Sequence, residues 1–288
     1  MADQLIGTLS AMKYWPIVDR IALCPCRVAP GEAATGAVSR TLSVGVLVLI
    51  AGSGVSSAQQ RPSPPFWPEI RTFLKQDADH GVTSCRTVFV GSSSIRLWHH
   101  LAQDMAGRLV IRRGFGGAHL DHVSLYFDVL VARHRPRSVV LYAGENDISA
   151  GRRPKDVLAS LERLMAVKRR ALGATPVHYI AIKPSPRRWH EFERQSLANA
   201  LIKRLAAATD DLVYVDIVGA MLDNGRPKQI FLADKLHMNR AGYRIWTKVV
   251  RRALAASGVR EVQHCRQSQA PERWFARQHR LTSAARSS

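Results

Sequence analysis

The chain is short of acid, of cysteine and of long apolar runs, and each shortage narrows what it can be. Its 288 residues carry 22 Asp and Glu against 42 Lys and Arg, a formal net charge of +20. Such an excess attracts polyanions and anionic lipid. The arginines are spread along the chain, however, and no basic stripe interleaves with aromatics, so no specific nucleic-acid surface is expected. The apolar run at residues 42–51 is well short of the ~20 residues that cross a bilayer. Four cysteines are present. Outside the first 58 residues they reduce to Cys85 and Cys265, neither with a histidine at a useful spacing. No metal site and no cofactor are expected. The adjacent pair His99-His100 points apart and reads as surface.

The first 58 residues stand apart from the rest. Arg40 precedes the apolar run 42–51, and the small residues of 52–58 end at Ala58. A basic flank, a short apolar stretch and a small-residue cleavage point describe a secretory signal. That predicts export to a periplasm or medium, with no transmembrane span in the mature chain. The segment 1–39, aperiodic and carrying Cys24-Pro25-Cys26, reads as an over-long gene start, with initiation nearer Val38 or Val44. In an oxidising compartment Cys85 and Cys265 could pair, provided their Cα atoms lie within about 7 Å; spacing alone does not fix that connectivity. Residues 59–66 form a proline-rich linker, 67–257 the folded domain, and 258–288 a basic, flexible tail.

Inside the domain, apolar runs alternate with amphipathic ones. Strand-like runs occupy 87–90, 109–111, 138–143, 177–182 and 212–215, each closed by a turn signal. Between them, 120–133 gathers Val123, Phe127, Leu130 and Val131 on one helical face. Residues 154–172 do the same with Val157, Leu158, Leu161, Leu164 and Met165, behind a proline suited to a first turn. Segments 191–208 and 241–255 follow suit. Continuous apolar strands alternating with helices predict a parallel sheet covered on both faces, hence a three-layer α/β/α sandwich with five parallel strands.

Four short blocks carry chemistry. Gly91-Ser92-Ser93-Ser94-Ile95 follows the first strand and offers a hydroxyl nucleophile. Gly114-Phe115-Gly116-Gly117 and Gly144-Glu145-Asn146-Asp147 follow the second and third and offer hydrogen-bond donors for an oxyanion. Asp234-Lys235-Leu236-His237 offers an imidazole base with a carboxylate three residues before it, close enough to share one turn. The carboxyl ends of parallel strands border the crevice where such sheets bind ligands, so the first three blocks converge on one edge.

In these blocks, across roughly residues 87–255, the chain resembles the SGNH hydrolases, also called GDSL-type esterases and lipases. Their blocks read Gly-Asp-Ser, a glycine turn, Gly-x-Asn-Asp and Asp-x-x-His. The segment Ile182-Lys183-Pro184-Ser185-Pro186-Arg187-Arg188-Trp189 is similar to that of a bacterial branch with Gly-Ser-Ser-Ser in the first block. The resemblance implies a flavodoxin-like sandwich and a metal-independent serine hydrolase of acyl or acetyl esters. It selects Ser93, third in its block, as nucleophile, with His237 as base and Asp234 as its orienting carboxylate. It implies an oxyanion hole of the Ser93 and Gly117 N–H groups and the Asn146 amide. Substrates would be small-molecule, lipid or glycan esters. Lys183, Arg187 and Trp189, after the fourth strand, are candidate substrate contacts; Arg152 and Arg153 read as a solvated face. Two positions depart from the pattern: Ser92 replaces an aspartate, and Arg112 stands where an asparagine usually begins the second block. The alternative is a catalytically silent module of the same fold that binds an anionic glycan or lipid. An α/β-hydrolase of the lipase type is disfavoured, because the chain has no Gly-x-Ser-x-Gly elbow.

Overall fold

A computed structural model of the chain describes residues 64–259. The signal-like segment, the leader before it, Cys265 and the tail from residue 260 lie outside the described residues. Five strands, β1 (Thr87–Gly91), β2 (Val110–Gly114), β3 (Ser138–Tyr142), β4 (Val177–Ile180) and β5 (Leu212–Val215), form one sheet in the order β2-β1-β3-β4-β5. Every pairing is parallel. This is the expected α/β sandwich with a five-stranded parallel sheet.

The strands are legible because they are buried on both faces. All residues of β1 and β3 are buried, and successive side chains point to opposite sides. Val88, Val90, Val139 and Leu141 join one core cluster; Phe89, Val140 and Tyr142 join the other. The first face is covered by α1 (Trp67–His80), α4 (Leu120–Leu125), α5 (Phe127–Leu130), α7 (Pro154–Leu172) and α8 (Phe192–Ala207). The second is covered by α3 (Leu101–Asp104), α9 (Val218–Met221) and chiefly α10 (Arg240–Ala256), which buries Tyr243, Trp246, Val250 and Leu254 at helical spacing. Asn239 caps α10, accepting from the backbone N–H groups of Ala241 and Gly242 at 2.9 and 3.2 Å.

One local reading needs correction, and one helix is unforeseen. The helix expected over 120–133 is broken: α4 ends at Leu125, α5 is a single turn, and Ala132–His134 is a 3₁₀ turn. The Tyr126 hydroxyl donates to the Pro65 carbonyl at 2.6 Å, and the backbone at Val131 leaves helical space at φ −132°. At the end of the proline-rich linker, Phe66 packs on the first core cluster. It is followed at once by α1, a helix the apolar pattern did not reveal. Cys85 is disulfide-bonded. Among the described residues no helix is long and apolar enough to cross a membrane.

Candidate active site

Ser93 is the first residue of α2 (Ser93–Arg96), two residues beyond the end of β1. The Ser92 N–H continues the β1–β3 ladder by donating to the Tyr142 carbonyl at 2.9 Å. The chain then turns sharply enough to leave the Ser93 side chain partly exposed above the sheet edge. His237 arrives from the loop before α10. That loop is pinned by the Leu232 N–H on the His237 carbonyl (2.7 Å) and the Asn239 N–H on the Ile230 carbonyl (3.0 Å). Across 144 positions, His237 Nε2 and Ser93 Oγ lie 2.9 Å apart. His237 Nδ1 and Asp234 Oδ2 lie 2.6 Å apart. The other oxygen of Asp234 accepts the backbone N–H groups of Leu236 and His237, both at 2.9 Å. One carboxylate thus shapes the loop and orients the ring. Partial desolvation opposes its charge, but those hydrogen bonds prevail and hold Asp234 at about 2. A hydroxyl bonded to an imidazole that is itself bonded to a carboxylate is the arrangement that lets an alcohol lose its proton as it attacks.

The second and third blocks meet each other. Gly117 adopts φ +74°, a left-handed conformation natural to glycine. The following Ala118 carbonyl accepts from Asn146 Nδ2 at 3.1 Å. Two residues further, the Leu120 N–H donates to Asp147 Oδ2 at 3.3 Å. Asn146 and Asp147, in α6 (Glu145–Ser149), therefore grip the Gly117 turn at two points. Asp147 is fully buried, and that burial, only partly offset by Arg152, pushes its carboxyl up to about 6. Burial also lowers His119 and His122 beside the same turn, helped for His119 by Arg152 and for His122 by His119.

Residues 81–245, more than half of the chain, match the GDSL-like lipase/acylhydrolase family. The chain belongs to that family. It is an ester hydrolase. No curated protein matches the chain. Among solved structures, a protein assigned as an acylhydrolase from Bacteroides fragilis is similar at 20% identity and a TM-score of 0.56, covering 67% of this chain and 99% of its own. A GDSL-like lipase from Bacteroides thetaiotaomicron is similar at 18% identity and a TM-score of 0.56, covering 65% and 98%. A protein assigned as a platelet activating factor from Streptococcus pneumonia reaches 20% identity and 0.59, covering 65% and 92%. At these identities the likeness is one of fold.

The hydrolase treats the segment after β4 differently from expectation. Lys183 is fully buried, its Nζ donating to Glu145 Oε2 at 2.5 Å and to the Tyr142 hydroxyl at 3.4 Å. A side chain so enclosed cannot be a substrate contact. Arg187 is exposed, and its N–H donates to the Lys235 carbonyl at 2.9 Å, joining this segment to the His237 loop. Trp189 is half-buried and stacked on Phe192, ring centroids 4.4 Å apart, with the Arg226 guanidinium over its ring. The residue turned toward the site is Arg188, whose Nη2 donates to Asn146 Oδ1 at 3.0 Å. Two adjacent arginines on an irregular segment give no sequence signal of which one faces inward.

The two departures sit quietly. Ser92 is buried, and its N–H belongs to the ladder described above. Arg112 is exposed and reaches back to the Trp98 carbonyl at 2.8 Å. Arg153 lies on the surface as expected, paired with Asp156. Arg152, its side chain 35% exposed, bonds Asp121 at 2.6 Å and approaches Asp147 to 3.9 Å. Beside the His237 loop opens a cavity of about 320 Å³ lined by Leu97, Trp98, Leu232, Met238 and Tyr243 among others.

Proposed function

We propose that this ester hydrolase cleaves carboxylic esters through an acyl-enzyme on Ser93. His237 Nε2 takes the hydroxyl proton as Oγ bonds the ester carbonyl carbon. The carbonyl oxygen becomes an oxyanion, received by the N–H groups of Ser93 and Gly117 and the amide of Asn146. The carbon–alkoxide bond breaks, and His237 returns its proton to the leaving alcohol. Water then repeats the sequence, its proton passing to His237 and finally to Ser93, releasing the acid. Asp234 keeps Nδ1 protonated and stabilises the imidazolium formed in each half-reaction. Each donor aimed at the oxyanion would contribute ~10²–10³ in turnover.

The observation that carries this reading is the continuous Ser93, His237 and Asp234 hydrogen-bond chain at 2.9 and 2.6 Å. A catalytically silent module has no need to keep that chain in register, so the esterase reading is preferred. Acyl or acetyl esters of small alcohols, lipids or glycans remain the substrate class, and an exported location fits the signal-like segment 42–51. The deciding experiment is labelling of the mature chain by a fluorophosphonate probe. We expect one adduct on Ser93, its loss in Ser93→Ala, and hydrolysis of short-chain esters by the parent. A folded parent that neither labels nor turns over any ester would end the proposal.

A further inference from the structure

We propose that Arg188 is a positioning residue of the oxyanion hole, fixing which end of the Asn146 amide faces the substrate. The inference rests on the serine-hydrolase reading above. A carboxamide can present either oxygen or nitrogen after a half-turn, and only its N–H end can stabilise an oxyanion. Arginine has donors and no acceptor, whereas a backbone carbonyl only accepts. Arg188 Nη2 can therefore pair only with Oδ1, at 3.0 Å, and the Ala118 carbonyl only with Nδ2, at 3.1 Å. Either partner alone forbids the half-turn. Together they fix the plane of the amide, leaving the second N–H of Nδ2 for the substrate.

Arg188 is itself held in place. Its side chain is 16% exposed, and its Nη1 lies 3.6 Å from Glu145 Oε1. Glu145 is gripped on its other oxygen by Lys183 Nζ and the Tyr142 hydroxyl, at 2.5 and 2.6 Å. The Arg188 guanidinium thus sets its positive charge directly against Asn146 Oδ1. A positive charge on the oxygen side of an amide polarises it and strengthens its N–H donors, which favours the charge that develops in the transition state. The sequence neighbours Arg187 and Trp189 have no such contact with Asn146.

The test compares Arg188→Ala, Arg188→Lys, Asn146→Ala and the Ala–Ala double variant, with melting temperature recorded for each. Loss of one oxyanion donor costs ~10²–10³ in turnover, so loss of its orienter is expected to lower kcat by about 10- to 100-fold with KM changed less than threefold. Arg188→Lys should recover part of the loss, since an ammonium still donates to Oδ1. Affinity for an alkylboronic acid, which forms a tetrahedral adduct on the serine, should fall in step with kcat/KM. In the Asn146→Ala background, Arg188→Ala should cost less than threefold more. A full, multiplicative loss there, or an unchanged kcat in Arg188→Ala, overturns the inference while parent activity stands. Should Arg188→Ala fail to fold, Arg188→Lys against Asn146→Ala gives the same comparison. A parent without esterase activity or Ser93 labelling instead overturns the underlying reading.

Discussion

A Cβ placed on Gly114 would lie 2.2 Å from the backbone nitrogen of Arg96. The helix that begins with Ser93 therefore rests directly on the end of β2, backbone against backbone. Gly91 makes a similar approach on the other side, where a Cβ would fall 1.9 Å from the Tyr142 carbonyl oxygen, at φ +138°. These two glycines let the turn that carries Ser93 sit low in the sheet edge. Gly114→Ala is expected to force α2 outward, with an overpacking cost of about 1–3 kcal/mol. For a domain of this size that is a melting temperature lower by several degrees. Turnover should fall further than stability, because Ser93 moves away from His237. Thermal unfolding and an ester assay measure both; unchanged values would mean that α2 does not bear on β2.

Much of this arrangement could be read from residue order. The five strands announce themselves because each is apolar without interruption, a consequence of burial on both faces. Ser93 and His237, which the fold brings within 2.9 Å of each other, can be singled out because their blocks are local. What resists reading is set by partners far along the chain. Lys183 looks like a rim cation until Glu145, 38 positions earlier, draws it into the core. Arg188 is indistinguishable from Arg187 until Asn146 faces it. The break at Tyr126 depends on a carbonyl 61 positions away, and α1 escapes notice because its fully buried apolar residue is Ile70 alone.

Asp234→Asn should separate orientation from charge. An amide can keep the Leu236 and His237 backbone hydrogen bonds, so loop and melting temperature are expected to change little. The imidazole then loses its anionic partner and can settle in the wrong tautomer, which in Ser-His-Asp systems lowers turnover by ~10⁴. KM should move far less. In the parent, Asp234 stays ionised down to about 2, so activity lost on acidification between pH 7 and 4 cannot come from its protonation. A pH–rate profile of parent and variant, with calorimetry, tests both statements.

Two buried groups titrate the fold in opposite directions. Burial raises Asp147 to about 6 and lowers His178 to about 4. The folded state takes a proton on Asp147 more readily than the unfolded chain does, so this group's contribution improves as pH falls from 6 toward 4. His178 behaves oppositely. The unfolded chain binds its proton first, and stability is lost as pH falls from 6.5 toward 4. Each effect is at most on the order of 3 kcal/mol, so in the parent they largely offset. Asp147→Asn leaves the His178 effect uncompensated, while an amide oxygen can still accept the Leu120 N–H. The variant should be more stable than the parent at pH 7.5, by up to roughly 2–3 kcal/mol, with the gain vanishing near pH 4. Urea denaturation at the two pH values checks it; a gain independent of pH contradicts the assignment.

The Glu145 cluster makes a prediction about asymmetry. Breaking a buried ion pair by removing one partner typically costs about 3–5 kcal/mol, because the survivor is left charged in the core. The two partners here are not equivalent. Lys183→Met leaves Glu145 with the Tyr142 hydroxyl on one oxygen and Arg188 near the other, so its charge stays served. Glu145→Gln leaves Lys183, already lowered by burial against the pull of Glu145, facing a neutral amide, and removes the anion beside Arg188. Glu145→Gln should therefore destabilise the fold by more than Lys183→Met, by about 3–5 kcal/mol against roughly half that. It should also lower turnover by loosening Arg188 and, through it, Asn146. Equilibrium urea unfolding of the two variants ranks the costs, and the reverse order would show that Lys183 rather than Glu145 organises the cluster.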